Sequence, residues 1–516
     1  MTSSESTQVR RGAKRRTVAL VAAIVAIALA TGFLIVRSLR DDSAPASVAH
    51  TLLPAPQTAE LTGERLPAGA SQVGALADAL RSWAPNAARL ADELAATLPD
   101  GPASTAAAAT QDATGPEDYT LTVGTDGLTL AAGGPAGAYW AVTALAQMID
   151  PAGTVAAGRV VDSPRYRVRS VMIDVARHFH GPEQLRDLVD LATELRFNEL
   201  HLHLTDDQGW RLEIPDRPRL AEVASRNDVS GGEGGYLTLA EYEDLQDYAA
   251  ARHMTVVPEI DLPGHTNALL VAYPEASPDG LPREHYRGID VGFSSVDLTS
   301  EASWDLVTDI VETVAEHTRG DRIHLGGDEA HTLSREEYAT YVTRLGALAA
   351  STGKALTMWQ DAYVADLPAG SRLQFWTHDG STSAIGERVE ELDLEVVASP
   401  ARKAYLDMKH DDRQVLGLRW AGTIDLRTAY DWSPEKELEG IDPARIVGVE
   451  TCLFTETLPT WGDVTYQLLP RLAAEASVAW GSPRDLDAFL AAADVARDRW
   501  EARGYVVHRE GDVRGR

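Results

Sequence analysis

Hydrophobic and polar positions along the chain follow two different rules. Over residues 53–163 the pattern is mixed. An Ala- and Leu-rich stretch at 73–98 has helical spacing, 119–123 and 128–131 read as strands around the turn dipeptide Asp126-Gly127, and 137–149 puts Tyr139, Trp140, Leu145 and Met148 largely on one side of a helix. These elements predict a small α+β domain. After Pro164 strand and helix alternate. Strand patterns fall at 168–175, 199–205, 255–260, 322–325, 355–359, 373–376, 394–398 and 446–450, with helical patterns such as 182–195, 239–252 and 303–317 between several of them. Eight strands joined by crossover helices predict a (β/α)8 TIM barrel over 164–505, whose active site would lie at the strands' C-terminal ends.

Ahead of both domains, Arg10, Arg11, Lys14, Arg15 and Arg16 precede an uncharged run that Arg37 closes. About 20 helical residues span one bilayer core. Residues 17–37 are therefore expected to be a transmembrane signal-anchor, with 1–16 a basic cytoplasmic segment and the catalytic part outside the cell membrane. Cleavage near Ala28-Leu29-Ala30, giving a secreted protein, is the alternative. The Ser-, Ala-, Pro- and Asp-rich stretch 38–52 reads as a tether, and 506–516 as a tail.

The 516 residues are 44% hydrophobic, enough for a large core, and carry 47 Lys+Arg against 77 Asp+Glu for a net charge of -30. Such a balance argues against nucleic acid as a partner. The only cysteine is Cys452, so no intrachain disulfide can form.

The expected strand ends are rich in chemistry. Asp174 and Arg177 follow the first, Asp206 and Asp207 the second, Asp261 and His265 the third, and Asp328 and Glu329 the fourth. Trp359 and Asp361, Trp376, Tyr405 and Asp407, and Phe454 and Glu456 follow the remaining four. Asp328 and Glu329 can serve one site only if the backbone leaves regular pleating, which Gly326 and Gly327 permit. Carboxylates, one arginine and several aromatic rings suit a neutral polyhydroxy ring, so the pocket reads as a sugar site.

Three segments carry a family resemblance. His201-Leu202-His203-Leu204-Thr205-Asp206-Asp207-Gln208-Gly209-Trp210-Arg211, Pro258-Glu259-Ile260-Asp261-Leu262-Pro263-Gly264-His265 and His324-Leu325-Gly326-Gly327-Asp328-Glu329 resemble, in order, the signatures of the β-N-acetylhexosaminidases of glycoside hydrolase family 20. The resemblance implies retaining exo-cleavage of terminal β-linked GlcNAc or GalNAc, with no cofactor and no metal. The substrate's 2-acetamido oxygen would attack the anomeric carbon to give an oxazolinium intermediate. It further implies Glu329 as general acid and then base, Asp328 as the charged partner of the acetamido N–H, and Tyr405 as donor to the acetamido oxygen. Asp206 and His265 would stand behind the acid, the adjacent carboxylate would raise the pKa of Glu329, and Asp328 would stay ionised. Arg177, Asp407 and Glu456 would hold ring hydroxyls, and Trp359, Trp376 and Trp420 would wall the pocket. Phe454 stands where the family usually has Trp, which suggests a roomier acyl pocket or compensation by neighbours.

Substrates consistent with this reading are chitin oligosaccharides, peptidoglycan fragments or host glycans. Three other readings stay open on sequence: release of a disaccharide, sugar binding without catalysis, and a metal-dependent amidohydrolase using His201, His203, His265, His324 and Asp328.

Overall fold

The computed structural model describes residues 51–100, 106–297, 299–377 and 382–512. The expected anchor at 17–37 lies outside the described residues, and among those described no helix is long and apolar enough to cross a membrane.

Strands β1 (Thr58–Pro67), β2 (Ala106–Gln111), β3 (Tyr119–Gly124), β4 (Gly127–Ala132) and β5 (Thr154–Asp162) form a sheet in the order β1-β5-β3-β4-β2. The helical stretch expected at 73–98 is two helices, Ala70–Leu80 and Pro85–Ala95. Ala84 is non-helical, and Pro85 opens the second helix where its missing N–H costs nothing. The β3–β4 hairpin forms, but Gly124 pairs with Gly127, so its turn is Thr125-Asp126 rather than Asp126-Gly127. Together with helix Pro135–Met148 these elements enclose a core of Leu76, Leu80, Leu121, Leu130, Trp140 and Leu145. Leu52, assigned to the tether from sequence, is buried in that core.

The second unit is a closed barrel of β6 (Val168–Asp174), β7 (Glu199–His203), β8 (Thr255–Glu259), β9 (Arg322–His324), β10 (Ala355–Trp359), β11 (Arg372–Phe375), β12 (Glu395–Ala398) and β13 (Ile446–Leu453), every neighbouring pair parallel. Each strand lies at the position expected from sequence. β13 runs three residues further than expected, to Leu453, and so carries Phe454 to the barrel rim. Residues 505 and 507, the latter in the expected tail, are buried against the barrel, and the ring of His508 stacks on His410 at 3.7 Å.

The two units share buried polar ties. Asp162 at the end of β5 meets Arg196 at 2.6 Å, both side chains fully buried, and also accepts from Tyr119 Oη and Trp480 Nε1, each at 2.8 Å. Trp480, from the barrel's helix Arg471–Trp480, packs into the core of the smaller domain.

Candidate active site

Past β9 the chain departs sharply from strand geometry. Gly326 and Gly327 have φ of 60° and 105°, and Glu329 itself sits at φ 48°. A Cβ on Gly326 would lie 1.7 Å from Asp261 Oδ1, so only glycine fits there. Tyr338 Oη donates to the Gly327 carbonyl at 2.5 Å and Asp261 Oδ1 accepts the Gly327 N–H at 3.2 Å, fixing the bend. His265 is also left-handed, at φ 53°. Such backbone costs about 1–3 kcal/mol per residue and persists where surroundings over-determine it.

The bend brings both carboxylates of the pair to one imidazole. His265 Nε2 lies 3.5 Å from Glu329 Oε2 and 3.9 Å from Asp328 Oδ2, while its Nδ1 is 3.3 Å from Asp206 Oδ2. Asp206 in turn pairs with Arg177 at 2.6 Å. Burial opposes its charge, but Arg177 and His265 hold the Asp206 carboxyl well below its usual range. Asp328 is the expected ionised member, and its surroundings oppose that charge in the free enzyme. Burial, then the nearby Asp261 and Glu329, push its carboxyl well above the ordinary range, against the pull of His265. Asp261 is pushed up to about 7, chiefly by burial.

An aromatic wall faces this pair. Trp376 and Trp420 meet edge to face at 6.0 Å, Trp420 and Tyr405 at 5.8 Å, and Tyr405 and Phe454 tilt together at 5.5 Å. Asp361 Oδ2 accepts the Trp376 indole N–H at 3.0 Å and so sets that ring's orientation. Trp420 is half exposed at the rim, whereas Tyr405 is buried and close enough to Asp328 for the two groups' charges to interact.

The far end of the pocket is charged. The Arg177 guanidinium lies 5.2 Å over the Phe454 ring. Asp407 and Glu456 repel one another; burial and this repulsion push Asp407 well up, while Glu456 is pushed up to about 7 by burial against the pull of Arg177. The loop bearing Tyr405 and Asp407 is stapled from behind by Arg471, which donates to the carbonyls of Met408 at 2.8 Å and Ile424 at 2.7 Å. Several buried atoms around the pocket make no hydrogen bond: Asp328 Oδ1, Asp407 Oδ2, Glu456 Oε2, Arg177 Nε and, despite the nearby carboxylates, His265 Nε2. Unmatched donors and acceptors in one concave site are what a polar ligand would satisfy.

Three strand-end residues turn out to do other work. Trp359, expected as a pocket wall, is 1% exposed, donates its indole N–H to Glu259 at 2.8 Å, and lies edge-on to His324 inside the barrel. Asp174 accepts the Ala176 and Arg177 N–H groups and the Thr455 N–H, tying the end of β6 to that of β13. Asp207 accepts from Asn267 N–H and Ser294 Oγ and braces a neighbouring loop. Sequence reasoning missed Glu259 and Glu450, and took His201 and His203 only as alternative metal ligands. The signal was the i, i+2 spacing of the histidines on a barrel strand, which aims both inward. Ligand atoms of His201, Glu259 and His324 do lie within 4.8 Å of one another. His201 Nδ1 hydrogen-bonds Glu450 at 2.9 Å and His201 Nε2 lies 3.1 Å from Glu259, so a buried imidazole–carboxylate cluster accounts for the grouping.

A parallel barrel whose strand ends gather an adjacent carboxylate pair, an aromatic wall and a group of buried charges suits a carbohydrate-cleaving barrel enzyme. The catalytic domain of glycosyl hydrolase family 20 matches residues 166–483, and domain 2 of the same family matches 49–163. A β-N-acetylhexosaminidase of Cellulomonas fimi is 40% identical over 377 residues, covering 72% of this chain and 76% of that protein. The family 20 β-N-acetylhexosaminidase of Streptomyces coelicolor A3(2) superposes with a TM-score of 0.81 at 32% identity, covering 91% of this chain and 99% of that one. The N-acetyl-β-hexosaminidase of Streptomyces plicatus, solved with Thio-NAglucal, gives 0.81 at 34% identity, covering 92% and 99%. The chain belongs to glycosyl hydrolase family 20 and is a glycoside hydrolase of the β-hexosaminidase kind.

Proposed function

We propose that this enzyme is a retaining exo-β-N-acetylhexosaminidase that removes terminal β-linked GlcNAc or GalNAc by substrate-assisted catalysis. The observation that carries the reading is the placement of Asp328 and Glu329, adjacent in sequence and gathered on His265, opposite Tyr405 and Phe454. Glu329, the more exposed of the pair, protonates the leaving oxygen and later takes a proton from water. The unpartnered Oδ1 of Asp328 accepts the acetamido N–H, and its charge offsets the oxazolinium cation as that cation forms. Tyr405 donates to the acetamido oxygen and holds it toward the anomeric carbon.

Exo-cleavage is supported by the depth of the charged groups, Arg177 and Asp407 being buried with Glu456 beside them. A ring whose 3-, 4- and 6-hydroxyls meet these buried groups would be a terminal one. Anchored by residues 17–37, the enzyme would act on chitin oligosaccharides, peptidoglycan fragments or host glycans at the outer membrane face.

The test is cleavage of N,N'-diacetylchitobiose and of 4-nitrophenyl β-N-acetylglucosaminide by native enzyme, Glu329→Gln and Asp328→Asn, with chelator present. Chitobiose needs a proton donor and nitrophenolate scarcely does. Glu329→Gln is therefore expected to lose about 10²–10⁴-fold on chitobiose and far less on the aryl substrate, while Asp328→Asn loses heavily on both. Chitobiose cleavage by Glu329→Gln within a few-fold of native would overturn the assignment.

A further inference from the structure

Behind the pocket, polar side chains run in a line through the barrel interior. Glu450 Oε1 is 2.9 Å from His201 Nδ1, and His201 Nε2 is 3.1 Å from Glu259 Oε2. The same Glu259 oxygen is 2.5 Å from His203 Nδ1, and His203 Nε2 is 3.1 Å from Asp206 Oδ2. From Asp206 the line passes through His265 to Glu329. His203 hydrogen-bonds carboxylates through both ring nitrogens, whereas His201 and His265 do so through Nδ1 and have a second carboxylate 3.1 and 3.5 Å from Nε2, outside hydrogen-bond geometry; His201, His203, Glu259 and Asp206 are at most 2% exposed.

We propose that Glu259 and His203 are positioning residues for the acid/base Glu329, acting through Asp206 and His265 as parts of one charge-alternating line that ends on it. The proposal rests on the reading of Glu329 as acid/base. A neutral imidazole has one donor and one acceptor, so an imidazole between two carboxylates satisfies both only when doubly protonated. Each protonated ring fixes the carboxylates beside it, and the order passes from strand interior to catalytic group.

The electrostatics agree along the line. Burial works against every charge, yet Glu450 and Glu259 push His201 up to about 10, and His203 is held well above its usual value by Glu259 and Asp206. Against the same burial, Glu259 is held well below the carboxylate range by His203, then His324 and His201. His324 also faces this carboxylate, its Nδ1 lying 3.1 Å from Glu259 Oε1 and 3.0 Å from the Gly326 nitrogen, and burial lowers it against the pull of Glu259. Other charged groups also face the line. Arg177 pairs with Asp206 and also brings Nη1 within 3.3 Å of His203 Nε2, where its charge opposes protonation of that ring; Asp207 approaches His265 at 4.0 Å, and Asp261 acts on His265 and Glu259. Around Glu329 itself stand His265, Asp328 and Asp361.

Glu259→Gln removes a negative charge behind the acid, and His203→Gln removes a positive one while its amide can still donate to Asp206. With chitobiose as substrate, the basic limb of kcat/KM is expected to move down in Glu259→Gln and up in His203→Gln, each by about half a pH unit or more. The double variant should return toward native. Shifts of the same sign, or lowered kcat with no shift, would overturn the line as a charged unit. If the variants fail to fold, ¹⁵N spectra of native enzyme decide: His201 and His203 doubly protonated at pH 8 support it, and neutral rings overturn it. Intact chitobiose cleavage by Glu329→Gln would instead remove the acid/base reading, leaving the spectra to judge the line alone.

Discussion

Asp328 lies deeper than its neighbour Glu329: their side chains are 16% and 26% exposed while both approach His265 Nε2. Depth and the surrounding acids push Asp328 above the ordinary carboxylate range in the free enzyme. A carboxylate with a raised pKa is neutral below that value and ionised above it, so activity that needs its charge falls as pH drops through it. The acid limb of kcat/KM is therefore expected above the normal carboxylate range. The limb of kcat should lie lower, because bound substrate offers an N–H and a developing cation that favour the anion. Full profiles of both constants check this, and coincident limbs would contradict it.

Asp361 and Trp376 act as a pair through their 3.0 Å hydrogen bond. Asp361→Ala frees the ring and leaves its part-buried N–H unmatched, a cost of about 1 kcal/mol. Expected is a rise in KM of about tenfold, with Asp361→Asn, which keeps an acceptor, close to native. Steady-state kinetics on the aryl substrate distinguish the two.

Phe454 is held by three neighbours, Tyr405 at 5.5 Å, His203 edge-on at 5.6 Å and the Arg177 guanidinium at 5.2 Å. A phenyl ring fills less volume than an indole, so substrates with N-propionyl or N-glycolyl groups are expected to be cleaved at rates nearer that of N-acetyl than in Phe454→Trp. Equal relative rates in the two proteins would mean that neighbouring side chains have closed the space.

The Asp162–Arg196 pair joins the two domains far from the chemistry. Both side chains are fully buried, so Asp162→Ala strands a guanidinium and is expected to cost about 3–5 kcal/mol. Denaturant unfolding should register the loss, while kcat/KM under folding conditions stays near native.

The eight barrel strands were legible because strands buried on both faces read as short apolar runs between helical patterns. The bend at Gly326-Gly327 was legible too, since two glycines before two acids leave few other uses for that freedom. Depth was harder to read. Asp174, Asp207 and Trp359 have the same sequence context as Asp206 and Trp376, yet hydrogen bonds to backbone or to Glu259 turn them inward. The interior line was invisible for a similar reason. Glu259 meets His201 and His203 across 56 or more residues of chain, and only the closure of β7 against β8 brings them together. The histidine spacing alone suited a metal equally well.

The central claim is that the substrate's own acetamido oxygen is the nucleophile. Its most direct test is the rate of 4-nitrophenyl β-glucosaminides as the N-acetyl group is replaced by mono-, di- and trifluoroacetyl, with Glu329 intact. Each fluorine weakens that oxygen as a nucleophile, so kcat should fall steeply along the series and the corresponding 2-hydroxy glucoside should not turn over. A rate indifferent to fluorination, or turnover of the glucoside, would place the nucleophile on the enzyme and contradict the account.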